Sequence, residues 1–448
     1  MIPSLDDVHR IRRPPATRLI VFLRESFRPG SVQRSASGAV AAGLTGQLAL
    51  VVSGIALARV LGPQARGSLA LLLLLPAVVY QAGNLGLPLA CAYYLAQEPR
   101  RSRAIVRRLR TIGPLQAVLL GGIHALAIAI VIWSRSPELR LAALITLPST
   151  SAQLMQDYGL AILQGLRGFR AFNILRTLPS VANAVVGVIL FGLQLRNLVW
   201  VVAILIVPGI CISAFTLAFA IARSRNNSPL GEAGPTLRQL IRFGAKGVLG
   251  SSYPVETFRA DQLIVGLFLS ATDLGRYVVA LSFVNLPRFI SQSIGFIAYP
   301  HVAAELQLKS QRRAMWRFFW VTTALTVMTV LVLELLVPIL LPILFGSQFT
   351  ESVPIARVLL VAAAFFSARR ILAEVMKGAG NPAAGSIAEL ASFVALIPAF
   401  LLFTRSFHVI GVAVALTFSA ALSLAVLILL DLKATRRQDS RRWRQNAK

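Results

Sequence analysis

The sequence predicts an all-α integral membrane protein with about 12 transmembrane helices in two pseudo-symmetric six-helix bundles. Three observations lead to this fold class. The composition is too apolar for a soluble chain, apolar runs of membrane-spanning length recur along the sequence, and the two halves of the chain repeat each other.

The composition comes first. The chain has 448 residues, of which 56% are hydrophobic and 14% charged, with a mean hydropathy of +0.71. So few charges could not solvate a soluble protein of this length. The net charge of +28 does not indicate nucleic-acid binding, because the basic residues lie in short patches between apolar runs. Cys91 and Cys211 both fall within apolar runs and the four histidines are scattered, so we expect no disulfide, metal or cofactor.

About twelve apolar runs are long enough to span a bilayer. They cover residues 38–61, 68–96, 113–134, 141–166, 174–195, 198–222, 244–271, 275–300, 316–345, 354–377, 383–404 and 407–431. The second, seventh and ninth runs exceed the length of a straight span, so tilt or kinks are expected there. The runs divide the chain into a basic tail (1–37), an N-terminal bundle (38–222), a linker (223–243), a C-terminal bundle (244–431) and a second basic tail (432–448).

The positions of the basic residues predict the orientation. Arg and Lys are concentrated in both tails and in alternate loops, among them RRSRAIVRRLR (100–110) and RGFR (167–170), whereas GSQFTES (346–352) has none. Basic loops face the cytoplasm, so both termini are predicted to be cytoplasmic in a multi-pass protein of the cell (cytoplasmic or inner) membrane. The stretch 16–27 could form an amphipathic helix at the interface or be disordered.

An internal repeat supports the two-bundle prediction. A shift of 208 positions lays LARVLGPQARGSLAL (57–71) on VGLFLSATDLGRYVV (265–279), which places Gly67 on Gly275. A shift of 213 places Gly165 on Gly378. Because each half has an even number of spans, the halves should be related by an axis along the membrane normal, as in some transporters.

Charged and polar side chains within the apolar runs are the candidate site. Arg259 and Asp261 lie about 13–15 residues into the seventh run, near the bilayer midplane, and Arg288 reaches a similar depth in the eighth. Polar side chains at helical spacing accompany them in the eighth and second runs: Asn285, Gln292, Gln81 and Asn84.

Two interpretations of the arginines are open. In one, Arg259 pairs with Glu256 one turn away and only holds helices together. In the other, Arg259 and Arg288 bind an anion such as a diphosphate, because the guanidinium donor fork matches phosphate oxygens. The eighth run offers Arg288 no carboxylate partner, which favours the anion site.

Other buried charges are secondary candidates, for coupling or for structure. Arg369, Arg370 and Glu374 lie near the cytoplasmic end of the tenth run, where snorkelling or local pairing explains them as well as function does. Asp157 and Glu389 could accept protons in a coupled cycle, although satisfied helix–helix contacts are the commoner role of such residues.

Several stretches resemble a known family. IALARVLGPQARGSLALLLLLP followed by GNLGLPLACAYYLA is similar to the opening helices of Wzx-type polysaccharide and O-antigen flippases, and ADQLIVGLFLSATDLGRYVVALSF resembles their seventh and eighth helices. LQGLRGFRAFNI and the GAGNP turn resemble their later connections, so the likeness covers roughly residues 35–430. These flippases belong to the multidrug/oligosaccharidyl-lipid/polysaccharide exporter superfamily.

The resemblance implies a V-shaped pair of bundles around a cavity lined by helices one, two, seven and eight. It also implies the cargo, an oligosaccharide on a polyprenyl diphosphate, moved to the outer leaflet by alternating access for O-antigen, capsule or exopolysaccharide synthesis. The implied partners are this cargo, membrane lipids and other polysaccharide-assembly proteins. Proton and sodium coupling both remain open.

Three alternatives compete with a flippase. A drug/cation antiporter of the same superfamily would favour a carboxylate-rich cavity, against which the two midplane arginines argue. A membrane-embedded polysaccharide polymerase or glycosyltransferase would usually carry a long outer loop with acid–base residues, and the predicted outer loops are short. The third alternative is a scaffold that keeps the fold without transporting.

Overall fold

The computed structural model describes residues 32–225, 234–251, 258–305, 307–381 and 383–446, and these form helices and short connections without any strand. The helices are α1 (Val32–Gly83), α2 (Leu87–Gln97), α3 (Ser102–Val131), α4 (Pro137–Ile145), α5 (Pro148–Gly165), α6 (Phe169–Gly192), α7 (Leu198–Arg225), α8 (Leu237–Ser251), α9 (Ala260–Phe268), α10 (Ala271–Ala304), α11 (Leu308–Phe345), α12 (Ser352–Gly378) and α13 (Ala383–Asn446). The predicted interfacial segment 16–27 lies outside these residues. Of the predicted linker 223–243, residues 226–233 also lie outside them, and residues 237–243 form the beginning of α8.

Each of the twelve predicted runs falls on helical segments. Among the described residues, six helical elements are long and apolar enough to cross a membrane, and two of them, α1 and α13, carry two runs each. The backbone is non-helical at Gly62 in α1 (φ 70°, ψ 175°) and at His408 in α13 (φ 47°, ψ −128°), so each of these elements consists of two helices that meet at a sharp kink and supplies two passes. The protein is therefore a multi-pass membrane protein.

Three of the predicted runs are broken rather than straight. The second run is interrupted between α1 and α2 at residues 84–86, and the fourth between α4 and α5 at residues 146–147. The seventh includes α8 and α9; residues 258–259 before α9 form a turn, and residues 252–257 lie outside the described part. The excess length of the second, seventh and ninth runs predicted tilt or kinks; the second and seventh are interrupted, whereas the ninth lies within the single helix α11.

The two halves touch through a pair of glycines that the 208-residue repeat aligns. A Cβ on Gly67 would lie 1.6 Å from the carbonyl oxygen of Ala271, and a Cβ on Gly275 would lie 1.9 Å from the carbonyl oxygen of Pro63. The same shift that aligns the glycines also lays Pro63 on Ala271. The contact is thus reciprocal, as a two-fold axis requires, and only glycine lets α1 and α10 approach this closely. We call it the glycine seal.

A second contact joins the halves at the other end of the membrane. Gly86 has φ 66°, and a Cβ on it would lie 2.3 Å from the carbonyl oxygen of Gly244 in α8. Beside it, the rings of Tyr93 and Phe243 stack at 4.1 Å between centroids. Gly67 and Gly86 are roughly 28 Å apart along the helix direction, so the bundles meet near both membrane faces.

Local hydrogen bonds repair the backbone where prolines interrupt the helices. Pro179 in α6 has no N–H, which leaves the carbonyl of Leu175 without its helical donor. The side chain of Gln156 in α5 donates to that carbonyl at 2.8 Å. Such bonds matter in lipid, where no water replaces a missing partner.

Candidate functional site

A cavity of about 290 Å³ is lined by four of the predicted site residues. They are Arg259, Asp261, Asn285 and Arg288. Gln262 and Ser282 add an amide and a hydroxyl. The walls come from the start of α9, the middle of α10 and single apolar residues of α1 and α13.

Arg259 sits at the first residue before α9, and the backbone there is unusual. Its φ of 47° and ψ of 49° are left-handed, a conformation that side-chain-bearing residues adopt rarely and that is often held by surrounding structure at functional sites. The side chain is exposed, and no described residue accepts a hydrogen bond from its guanidinium. Glu256, its predicted partner, lies outside the described residues.

Asp261 is buried in the first turn of α9, with 7% of its surface exposed. The hydroxyl of Tyr277 in α10 donates to its Oδ2 at 2.9 Å. A carboxylate in the first helical turn is also favoured by the helix dipole. The hydroxyl and the helix terminus therefore hold this carboxylate in the wall of the cavity.

Arg288 is half-buried and rests on an aromatic ring. Its Cζ lies 4.8 Å from the centre of the Phe366 ring of α12, within cation–π range. Its Nε is buried and has no hydrogen-bond partner among the described residues. An unpaired buried donor on a permanent cation favours binding of an anion there.

The remaining predicted lining residues lie elsewhere. Asn84 is buried at the break between α1 and α2, where its Oδ1 accepts from the N–H of Gly86 at 2.7 Å and its Nδ2 donates to the carbonyl of Gln81 at 3.3 Å. Gln292 is exposed on α10. The side chains of Gln81, Asn84 and Gln292 are not among the described residues that line the cavity.

The secondary candidates occupy two separate places. In the N-terminal half the Tyr80 hydroxyl donates to Asp157 across α1 and α5. In the C-terminal half Arg369 and Glu389 form an ion pair between α12 and α13, each side chain only 1% exposed. Arg370 and Glu374 are half-buried on α12, and Glu374 packs beside Gly295 of α10.

Phe366 contacts an arginine of the cavity and the arginine of this ion pair, and the sequence analysis did not identify it. Its ring lies 4.8 Å from the Cζ of Arg288 and 5.4 Å from the Cζ of Arg369. Tyr277 was missed as well, since an aromatic residue in an apolar run carries no distinguishing signal. Ser282 could have been found, because it precedes Asn285 by three residues and shares its helical face.

No group of three or more His, Cys, Asp or Glu side chains that could hold a metal ion occurs among the described residues. The donor set of the cavity is instead cationic and amide-rich. Such a set suits a phosphate or diphosphate rather than a cation.

Comparison with known proteins identifies the family and the fold. A family model described as "Polysaccharide biosynthesis protein" matches residues 56–354. No curated protein matches the sequence significantly.

Among solved structures, an inward-facing multidrug resistance MATE family transporter of the MOP superfamily is similar with a TM-score of 0.70 and 15% identity, over 93% of this chain and 99% of that one. The lipid II flippase MurJ in an inward closed conformation has a TM-score of 0.66 and 14% identity, over 88% and 87%. The MATE multidrug transporter DinF-BH, solved as a complex, has a TM-score of 0.63 and 14% identity, over 91% and 96%. The predicted exporter fold is confirmed.

Proposed function

Since the chain belongs to the polysaccharide biosynthesis protein family, we propose that it is a flippase for oligosaccharides linked to a polyprenyl diphosphate. It moves them from the cytoplasmic to the outer leaflet of the cell membrane by alternating access, for the synthesis of a surface polysaccharide. Both termini face the cytoplasm, as the basic loops predict.

The observation that carries this proposal is a cavity lined by two guanidinium groups, neither of which forms a salt bridge with a described carboxylate, although Asp261 and Arg288 interact electrostatically at longer range. Charges at this depth are costly and usually face a watery cavity. A diphosphate offers each arginine its own phosphate, with bidentate hydrogen bonds that a point charge cannot make. Asn285, one turn from Arg288, adds a donor for the same oxygens.

Size further limits the part of the cargo that binds here. A volume of about 290 Å³ is at the small end of ligand pockets. It suits a diphosphate and the atoms next to it rather than an oligosaccharide. The recognised feature is therefore the lipid-linked diphosphate, and the sugars lie in the path between the bundles.

Asp261 carries a carboxylate and does not bind the diphosphate in this mechanism. A free carboxylate next to two arginines would compete with the cargo for them. The Tyr277 hydroxyl occupies one of its oxygens, which keeps the carboxylate against the wall and leaves the arginines to the diphosphate.

Transport against a gradient needs an energy source, and we propose proton or sodium coupling. The carboxylates of Asp157, which is half-buried, and Glu389, which is buried, are the candidates, since each lies inside one bundle and contacts a side chain of another helix. Binding of a cation at either carboxylate would alter a contact between two helices, Tyr80 with Asp157 or Arg369 with Glu389.

Drug/cation antiport is the second candidate, favoured by the likeness to MATE multidrug transporters. Arg259 and Arg288 oppose it, because a cationic drug in the cavity would meet two permanent positive charges at short range. A polymerase or glycosyltransferase is less well supported, because the family and the similar structures are transport proteins rather than enzymes.

Replacing Arg259 or Arg288 with Ala tests the proposal. Loss of a charge-assisted hydrogen bond is worth about 1.5–3 kcal/mol, so we expect transport to fall roughly ten- to a hundredfold. Lys at either position should restore only part of the rate, because it lacks the donor fork. The measurement is the rate at which a fluorescent polyprenyl-diphosphate disaccharide crosses the bilayer of vesicles containing the purified protein.

Arg357→Ala is the matched control, because that arginine lies on α12 outside the cavity lining and pairs with Glu334 at 3.7 Å. It should transport at the wild-type rate. Wild-type rates in both cavity variants would refute the assignment. Export of a labelled organic cation by the unmodified protein, with no lipid transport, would establish the antiporter instead.

A further inference from the structure

A second cavity, separate from the arginine cavity, lies within the N-terminal half between α3, α5 and α7. It has a volume of about 450 Å³ and shares no lining residue with the first. Its walls are apolar, with Leu154 and Met155 from α5 and Leu217 and Ile221 from α7. We call it the α3 groove.

Two adjacent residues of α3 open this groove. Gly113 lines it, and a Cβ there would meet nothing within 4 Å, so the missing side chain leaves real space. Pro114 follows and has no N–H for the carbonyl of Arg110, which bends or loosens the helix at this point. A Gly-Pro pair inside a long helix lowers helix stability. Helix stability therefore does not explain why this pair is present, and the open space that it creates calls for another explanation.

The groove contains one positive charge. Arg110 lines it, and its side chain is exposed. It is the last of six arginines within residues 100–110, the basic stretch that the charge pattern places on the cytoplasmic side. The third apolar run begins at residue 113, so Arg110 precedes it by three residues, roughly 4–5 Å along the helix. This places Arg110 at the level of the lipid phosphates.

The outer wall of the groove is open to the membrane. Val118 lines it and is 75% exposed, and the neighbouring Leu115 is 71% exposed. In a membrane protein such surfaces face lipid. A cleft with apolar walls, open to the bilayer and with one exposed arginine in its cytoplasmic half, matches one lipid class.

We propose that the α3 groove binds one anionic glycerophospholipid of the cytoplasmic leaflet, with an acyl chain along Gly113 and Met155 and the phosphate on Arg110. Charge complementarity selects the anionic headgroup, because the basic stretch attracts anionic lipids. The apolar walls select the chain. This site is distinct from the cargo cavity, and it uses only the membrane orientation proposed above.

Native mass spectrometry of the full-length protein in detergent tests the proposal. The probes are phosphatidylglycerol and phosphatidylcholine of matched chains, added in increasing amounts. We expect the wild type to bind one phosphatidylglycerol tightly. Gly113→Leu fills the groove and should weaken that binding at least tenfold, the effect of losing contact with about two methylenes. Arg110→Gln should abolish the preference for phosphatidylglycerol over phosphatidylcholine.

Two further variants make the outcome decisive. Gly122→Leu is the matched control, because a side chain at Gly122 also meets nothing within 4 Å and Gly122 does not line the groove. It should bind phosphatidylglycerol like the wild type. Met155→Trp fills the groove from α5 and should repeat the Gly113→Leu result if that variant folds poorly.

Equal phosphatidylglycerol binding in the wild type and both groove variants would overturn the proposal. So would displacement of the lipid by a polyprenyl phosphate at equal concentration, which would make the groove a site for the cargo tail. Because the readout is bound lipid rather than transport, failure here leaves the flippase assignment untouched.

Discussion

Gly67→Ala is the substitution that examines the glycine seal most directly. The added methyl carbon would lie 1.6 Å from the Ala271 carbonyl oxygen, whereas ordinary contact begins at 3.4 Å. α1 and α10 must therefore separate by about 1.8 Å at this point. Overpacking of this kind costs about 1–3 kcal/mol and more where backbone must move. The cost falls only on conformations in which the seal is closed.

In the proposed orientation the seal lies on the outer side, because residues 62–67 join the first and second runs and the N-terminus is cytoplasmic. Such a cost shifts the balance between closed and open states of this outer gate by roughly 5- to 150-fold. The assay is the labelling rate of a single cysteine by a membrane-impermeant maleimide added outside. Ser282→Cys supplies the target, because Ser282 lines the cavity and is half-buried. Cys91 and Cys211 are replaced by Ala beforehand. We expect Gly67→Ala to raise the labelling rate by a factor within that range.

Gly209→Ala is the control for the change in helix propensity. Gly209 lies inside α7, and a Cβ there would meet nothing within 4 Å. Its labelling rate should equal that of the parent. An unchanged rate in Gly67→Ala would show that the seal does not gate the outer side, and the alternating-access mechanism would lose its outer gate.

Two further predictions concern stability, measured by thermal unfolding in detergent. Gln156→Leu leaves the Leu175 carbonyl without a donor and should lower the unfolding free energy by about 1–3 kcal/mol. In a Pro179→Ala background the backbone N–H returns, so the same substitution should cost almost nothing. An equal loss in both backgrounds would contradict this account. Glu389→Gln removes one partner of a buried ion pair and should cost about 3–5 kcal/mol. Replacing Glu389 and Arg369 together with Leu and Met should recover much of that loss, and a double variant less stable than the single one would disprove it.

Sequence patterns predicted most of the helices because spanning a bilayer imposes a length and a composition that local sequence must satisfy. They predicted less well where helices stop. The break after α1 lies within GNLGLP (83–88), whose Gly, Asn and Pro residues favour turns. That signal could have been used. The kink at His408 was indicated only by the gap between the runs 383–404 and 407–431, because residues 399–410 contain neither Gly nor Pro.

The candidate cavity was predictable in part. Depth and helical spacing brought Arg259, Asp261, Asn285 and Arg288 to one place, because an α-helix fixes both by its geometry. Gln81 and Asn84 shared the same spacing, but the helix ends beside them, and a helix-face argument fails once the helix stops.

Contacts between distant helices could not be predicted. Arg369 pairs with Glu389, twenty residues away on the next helix. The stacking of Phe366 between two arginines likewise depends on how α10 and α12 cross. A single sequence gives helix faces but not their partners.

The reciprocal seal between Pro63, Gly67, Ala271 and Gly275 has a historical implication. A surface that meets its own copy in this manner is what two identical subunits would have needed before they were fused end to end. In such subunits a single glycine codon would have supplied both sides of the contact, and each half of the fused chain would have inherited a copy of it. In the present chain each half still constrains the other at this contact, because a side chain on either glycine would meet the backbone of the opposite helix.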